Sequence, residues 1–96
     1  MKWLEIIELN YGAKKPKLIE HDLEGLVENL NKERAKQEIN VYSRVSEEID
    51  FSIHLHHKSE NIEKSGSPLG INLSSVLTKF GLVKHSVWVW IKKYNL

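Results

Sequence analysis

The chain has no cysteine, which excludes a disulfide framework, a thiolate nucleophile and any cysteine-based zinc or iron–sulfur site. It also lacks an excess of charge. Fourteen lysines and arginines stand against thirteen acids, for a net charge of +1, and they are scattered along the chain. That is far from the strongly basic footprint of a nucleic-acid binder, and no polybasic patch stands out. No apolar run approaches the roughly 20 residues of a membrane-spanning helix. The N-terminal run Met1-Lys-Trp-Leu-Glu-Ile-Ile-Glu8 meets acids too early to be a secretory leader. Internal repeats, domain linkers and low-complexity segments are absent too. These exclusions point to one soluble cytoplasmic domain over residues 1–96, with no cofactor, nucleic acid or membrane as partner.

What the chain does have is a strand whose side chains alternate by type. In Phe51-Ser-Ile-His-Leu-His-His57, Phe51, Ile53 and Leu55 share one face, and Ser52, His54 and His56 share the other. The end of the chain repeats this, with Val87, Val89 and Ile91 opposed to Ser86, Trp88 and Trp90. One face of the resulting sheet is ordinary core. The other is rich in indole and imidazole, and function is expected there.

The remaining elements follow from spacing. Trp3 to Leu9 reads as a first strand closed by Gly12 and Pro16. Ile19, Leu23, Leu26, Val27 and Leu30 recur every three or four residues, which predicts an amphipathic helix fading near Gln37. Gly25 weakens it by about 1 kcal/mol relative to alanine. Ile39 to Val45 alternates as a second strand, joined through Ser46–Asp50 to the histidine strand as a hairpin. His57 to Gly66 is a polar loop. Ser67-Pro68 then starts a second helix, with a capping hydroxyl before a first-turn proline. Leu69, Leu73, Val76, Leu77 and Phe80 form its apolar stripe, and Gly81 suits a left-handed cap at its end. Val83 to Ile91 is the last strand.

The order strand, helix, strand, strand, helix, strand is the split βαβ, ferredoxin-like arrangement. The expected class is α+β: a four-stranded antiparallel sheet, first and third strands central, both helices on one face. The first strand is ambiguous, because its odd set (Trp3, Glu5, Ile7, Leu9) and its even set (Lys2, Leu4, Ile6, Glu8) each carry a glutamate. A buried unpaired carboxylate is costly, and Glu8 lies nearer the strand end and water. Leu4 and Ile6 are therefore expected to face the helices, and Trp3, Glu5 and Ile7 the open side. With Tyr42, Arg44, His54, His56, Trp88 and Trp90, that open face exceeds the few hundred Å² of apolar patch a monomer exposes. It calls for a cover.

This element order and apolar open face resemble the dimeric α+β barrel superfamily, which includes the antibiotic-biosynthesis-monooxygenase-like proteins. The runs Ser67-Pro-Leu-Gly70 and Phe80-Gly-Leu-Val-Lys-His-Ser-Val-Trp88 are similar to small proteins of that build. The resemblance implies a homodimer paired sheet to sheet, with a pocket between helices and sheet or between sheets. Its members include cofactor-free oxygenases, haem-degrading enzymes and isomerases. No catalytic motif among them matches residue by residue, so the resemblance bears on fold more than on function.

On that footing Trp3, Tyr42, Arg44, His54, His56, Trp88 and Trp90 are the expected interface or ligand residues. The enzymatic alternative is a monooxygenase-like or isomerase-like activity on a planar organic molecule, with His54, His56 and Arg44 as catalytic candidates. Trp88 and Trp90 would stack on such a ligand, and Arg44 would clamp its carboxylate. A third reading gathers His54, His56 and Glu5 into a two-histidine, one-carboxylate metal set; no metal is expected there. His57 and His85 fall at strand ends, where either could act as a general base. Ser67-Pro-Leu-Gly70 offers helix N–H groups to an anion but lacks the glycines and lysine of a P-loop.

Overall fold

The computed structural model describes residues 1–11, 24–28, 37–45 and 50–95. Four strands, β1 (Lys2–Tyr11), β2 (Glu38–Ser43), β3 (Asp50–Lys58) and β4 (Gly81–Val89), form one sheet in the order β2-β3-β1-β4, every neighbouring pair antiparallel. Residues 24–28 are helical (α1), and α2 spans Pro68–Leu77. This is the α+β, ferredoxin-like arrangement, with β1 and β3 central and β2 and β4 at the edges.

α2 forms for the reasons its sequence supplies. Ser67 caps it, its hydroxyl accepting the Gly70 N–H, and Pro68 occupies the first turn. Leu69, Leu73 and Leu77, one per helical turn, are buried on the sheet, and Val76 and Phe80 are half-buried beside them. They join Ile7, Leu9, Phe51, Ile53 and Leu55 in one core, against which Leu26 and Val27 of α1, Ile39 and Val83 also pack. Burying each of the larger side chains contributes about 1.5–3 kcal/mol.

Three expectations change. First, β1 presents its odd set to the helices: Trp3, Glu5, Ile7 and Leu9 are buried, whereas Leu4 and Ile6 lie on the open face and Glu8 is exposed. Second, Gly81 is no left-handed cap. Thr78 ends α2 in right-handed helical conformation and Gly81 opens β4; among the described glycines only Gly66 has a positive φ, of 102°. Third, strand limits move by one or two residues. β2 stops before Val45, β3 reaches Lys58, and Ile91 lies exposed beyond β4. Gly12, Pro16, Ile19, Leu23, Leu30 and the 46–49 connection lie outside the described residues.

Candidate functional site

The register of the sheet decides which polar side chains meet. Trp3 stands opposite His57 across β1 and β3, and Ile7 opposite His85 across β1 and β4. Cross-strand partners share a face, so both imidazoles join Glu5 on the helix-covered side. Glu5 is 0% exposed. A buried carboxylate persists only if its oxygens are hydrogen-bonded.

Four donors meet it. Oε1 accepts the Ser67 backbone N–H at 2.9 Å and His85 Nε2–H at 2.8 Å. Oε2 accepts the Ser67 hydroxyl and His57 Nε2–H, each at 2.5 Å. The start of α2 thus sits directly on the carboxylate, where the positive end of the helix dipole also favours an anion. Two glycines permit this approach. A Cβ added at Gly70 would overlap Glu5 Oε1, and one at Gly66 would lie 2.7 Å from the same oxygen and overlap the His85 ring. The run Gly66-Ser-Pro-Leu-Gly70 is a cradle for an anion, as its sequence hints, but the chain's own Glu5 fills it.

Burial pushes the Glu5 carboxyl up. The hydrogen bonds from the Ser67 hydroxyl, the Ser67 N–H, His57 and His85 together outweigh that, holding it below the ordinary 4.5. A carboxylate that only accepts obliges both imidazoles to carry a proton on Nε2, leaving Nδ1 as the variable position on each ring. His57 is further fixed by Trp3, whose ring stacks on it at 3.9 Å and 19°, with the indole N–H held by Ser59 Oγ at 2.8 Å. The Gln37 amide nitrogen lies 3.0 Å from His57 Nδ1 and 3.3 Å from Nε2. An in-plane nitrogen at both distances would overlap Cε1, so the amide lies over the ring, on the face away from Trp3.

The open face collects the other candidates. Across it run Glu38, His56, Leu4 and Trp88 in one row and Asn40, His54, Ile6 and Ser86 in the next. Trp88 and Trp90 are each 57% exposed, and Tyr42 is exposed too. His54 packs against the Tyr42 ring at 4.6 Å and meets Ser52 Oγ at 2.8 Å; burial and the neighbouring His56 lower its pKa from 6.5. His56 lies 3.4 Å from Glu38 and 3.0 Å from the Asn40 amide.

Arg44 is engaged within its own chain, 2.9 Å from Asp50, which also accepts the Asn10 amide at 2.7 Å. A cleft of about 460 Å³ beside it is lined by Tyr42, Phe51, Leu82 and Lys84 among others. A second cleft, of about 660 Å³, lies at the opposite end of the sheet, lined by Lys2, Trp3, Gln37, Glu38, His56, His57 and Lys58.

The metal reading fails on this geometry. Glu5 lies on the covered face and His54 and His56 on the open one, so the three cannot share an ion; among the described residues no group of three ligands could hold a metal. Sequence reasoning passed over Ser67 and Gln37 as partners and gave His57 and His85 only strand-end roles. The signal was present, since His57 shares parity with Phe51, Ile53 and Leu55, and His85 with Val83 and Val87. Imidazoles on a core face call for a carboxylate there, and the odd set of β1 supplies Glu5. Comparison with models of protein families, with curated proteins and with solved structures gave no match to this chain.

Proposed function

We propose that this protein acts as a homodimer of the dimeric α+β barrel kind, its open sheet face packed against that of a second copy. The observation that supports it is the pair of exposed indoles, Trp88 and Trp90, beside Leu4, Ile6 and Tyr42 on a face that no described helix covers. The dimensions agree. β1, β3 and β4 run nine or ten residues at about 3.3 Å rise and β2 six; the four strands, about 4.8 Å apart, give a face of roughly 30 by 19 Å, shorter along β2, before side-chain relief. A standard interface takes about 800 Å² from each partner, which this face approaches once its aromatic side chains and the exposed Ile91 and Tyr94 are added.

The composition of the face is that of an interface rather than of a solvated sheet: apolar and aromatic groups at its centre, Lys2, Lys58, Glu8 and Lys84 toward its ends. A two-fold axis would place each copy's Leu4, Ile6 and Trp88 against the same patch of the other. Sedimentation equilibrium at micromolar concentration should give twice the chain mass. Trp88→Glu, which would bury an unpaired charge at the interface, should shift the mass to that of one chain while leaving the circular-dichroism spectrum unchanged. A wild-type monomer at these concentrations would sink the reading.

A further inference from the structure

An imidazole stands at the centre of the open face. β1 and β3 are the central strands, and they make five pairs on that face, from Lys2 with Lys58 at one end to Asn10 with Asp50 at the other. Ile6 with His54 is the third, so His54 is central both along the strands and across them. Asn40 lies opposite it on β2, the Tyr42 ring packs on it at 4.6 Å, and its Nε2 meets Ser52 Oγ at 2.8 Å. The charged or titratable groups beside it are Glu8 on β1, Glu38 and Tyr42 on β2 and His56 on β3, with Lys84 of β4 opposite Glu8. His56 has Glu38 at 3.4 Å, and His57 and His85 share Glu5. Among the described residues no carboxylate lies within ion-pair distance of His54. A cation formed on that ring has no counter-ion in contact.

We propose that His54 makes association of this protein pH-sensitive: two copies pair while its ring is neutral and separate when it takes up a proton. The inference rests on the face-to-face dimer proposed above and names what regulates it. A second copy would strip His54 of the water that now reaches it, and a charge moved out of water is costly unless paired. Glu8 acts on the ring through space and makes no ion pair with it. In the single subunit, burial and the neighbouring His56 already hold the ring below the ordinary 6.5, against the pull of Glu8. Deeper burial moves it further in the same direction. A two-fold axis through the middle of the face also sets the two His54 rings near each other, where two imidazolium charges repel. By linkage, a separated subunit then binds the proton more readily than the dimer does. Association is strongest above 6.5 and weakens as pH falls through the free subunit's lower value.

The test is sedimentation equilibrium of the full chain at constant ionic strength, from about pH 8 to about 5.5, within the range in which histidine titrates. Below the free subunit's value the dissociation constant should rise by up to about tenfold per pH unit for each ring kept neutral, so up to about a hundredfold for the pair. Circular dichroism at each pH separates dissociation from unfolding. His54→Gln keeps a side chain able to bond Ser52 but does not titrate. In that variant the whole rise should shrink to less than about threefold, whatever its own affinity. If the variant does not fold or pair, the ring proton signals of wild-type His54 give the same reading by reciprocity: their titration midpoint should fall as protein concentration rises. A dimer that persists undiminished at the acid end, a rise of full size in His54→Gln, or a midpoint indifferent to concentration would overturn this inference and leave the dimer standing. A monomer at the alkaline end would remove the dimer, and this inference with it.

Discussion

Glu5 concentrates the chemistry of this protein, because its one carboxylate joins β1, β3, β4 and the start of α2. Removing one partner of such a buried set costs about 3–5 kcal/mol, since the others are left unpaired. The pH profile carries the same information. In the folded chain Glu5 titrates below its ordinary 4.5, so the unfolded chain takes up that proton first as pH falls. Its contribution is complete above about 4.5 and is lost as pH falls through the lower folded value. His54, also lowered, from 6.5, acts in the same direction over a higher window: the unfolded chain protonates first, and stability declines from about 6.5 downward. Denaturant unfolding should show stability falling in both windows. Glu5→Gln should lower stability at pH 7 and abolish the acidic decline below about 4.5. A decline of wild-type size in that variant would show that other carboxylates produce it.

At the level of elements, the two helices use glycine in opposite ways. Gly70 stands in the first turn of α2, where a side chain would displace the Glu5 carboxylate. Among the described residues nothing lies within 4 Å of where a Cβ at Gly25 in α1 would be, so no close approach there calls for glycine. Alanine at Gly25 should therefore stabilise the protein by about 0.5–1 kcal/mol, through better helix propensity and a less flexible unfolded chain. Alanine at Gly70 should destabilise it in spite of the same propensity gain, because overlap in a packed site costs about 1–3 kcal/mol. Paired thermal melts check the opposite signs; stabilisation by both would mean that α2 does not bear on Glu5 as described. The strands divide by composition in the same manner. β3 and β4 alternate cleanly, so their faces need no context, whereas β1 carries apolar residues and one glutamate in each set.

For the whole molecule, one sheet face is filled by the helices and the other carries indoles, imidazoles and aliphatic side chains in the open. If a second copy covers that face, folding and association are linked, and the melting temperature depends on protein concentration. Melts over a hundredfold concentration range should show it rising steadily for the wild type and staying flat for Trp88→Glu. A concentration-independent wild-type melt would separate the open face from stability.

The sequence by itself determined the element order, the α+β class, the faces of β2, β3 and β4, and the capped start and leucine stripe of α2. All of these are written in local periodicity: alternation by two, recurrence by three and four, a hydroxyl followed by proline. Two local signals misled. Gly81 looks like a helix cap by its place after the stripe, yet Thr78 closes α2 without a left-handed residue. Glu5 looks like the carboxylate to keep in water because Glu8 is nearer the strand end. Only the tertiary structure settled β1, since its partners come from far along the chain: His57, Ser67 and His85 lie 52, 62 and 80 residues from Glu5. Which glutamate is buried depends not on how easily each reaches water but on where four hydrogen-bond donors converge, and that convergence exists only once β3, β4 and α2 have assembled around β1.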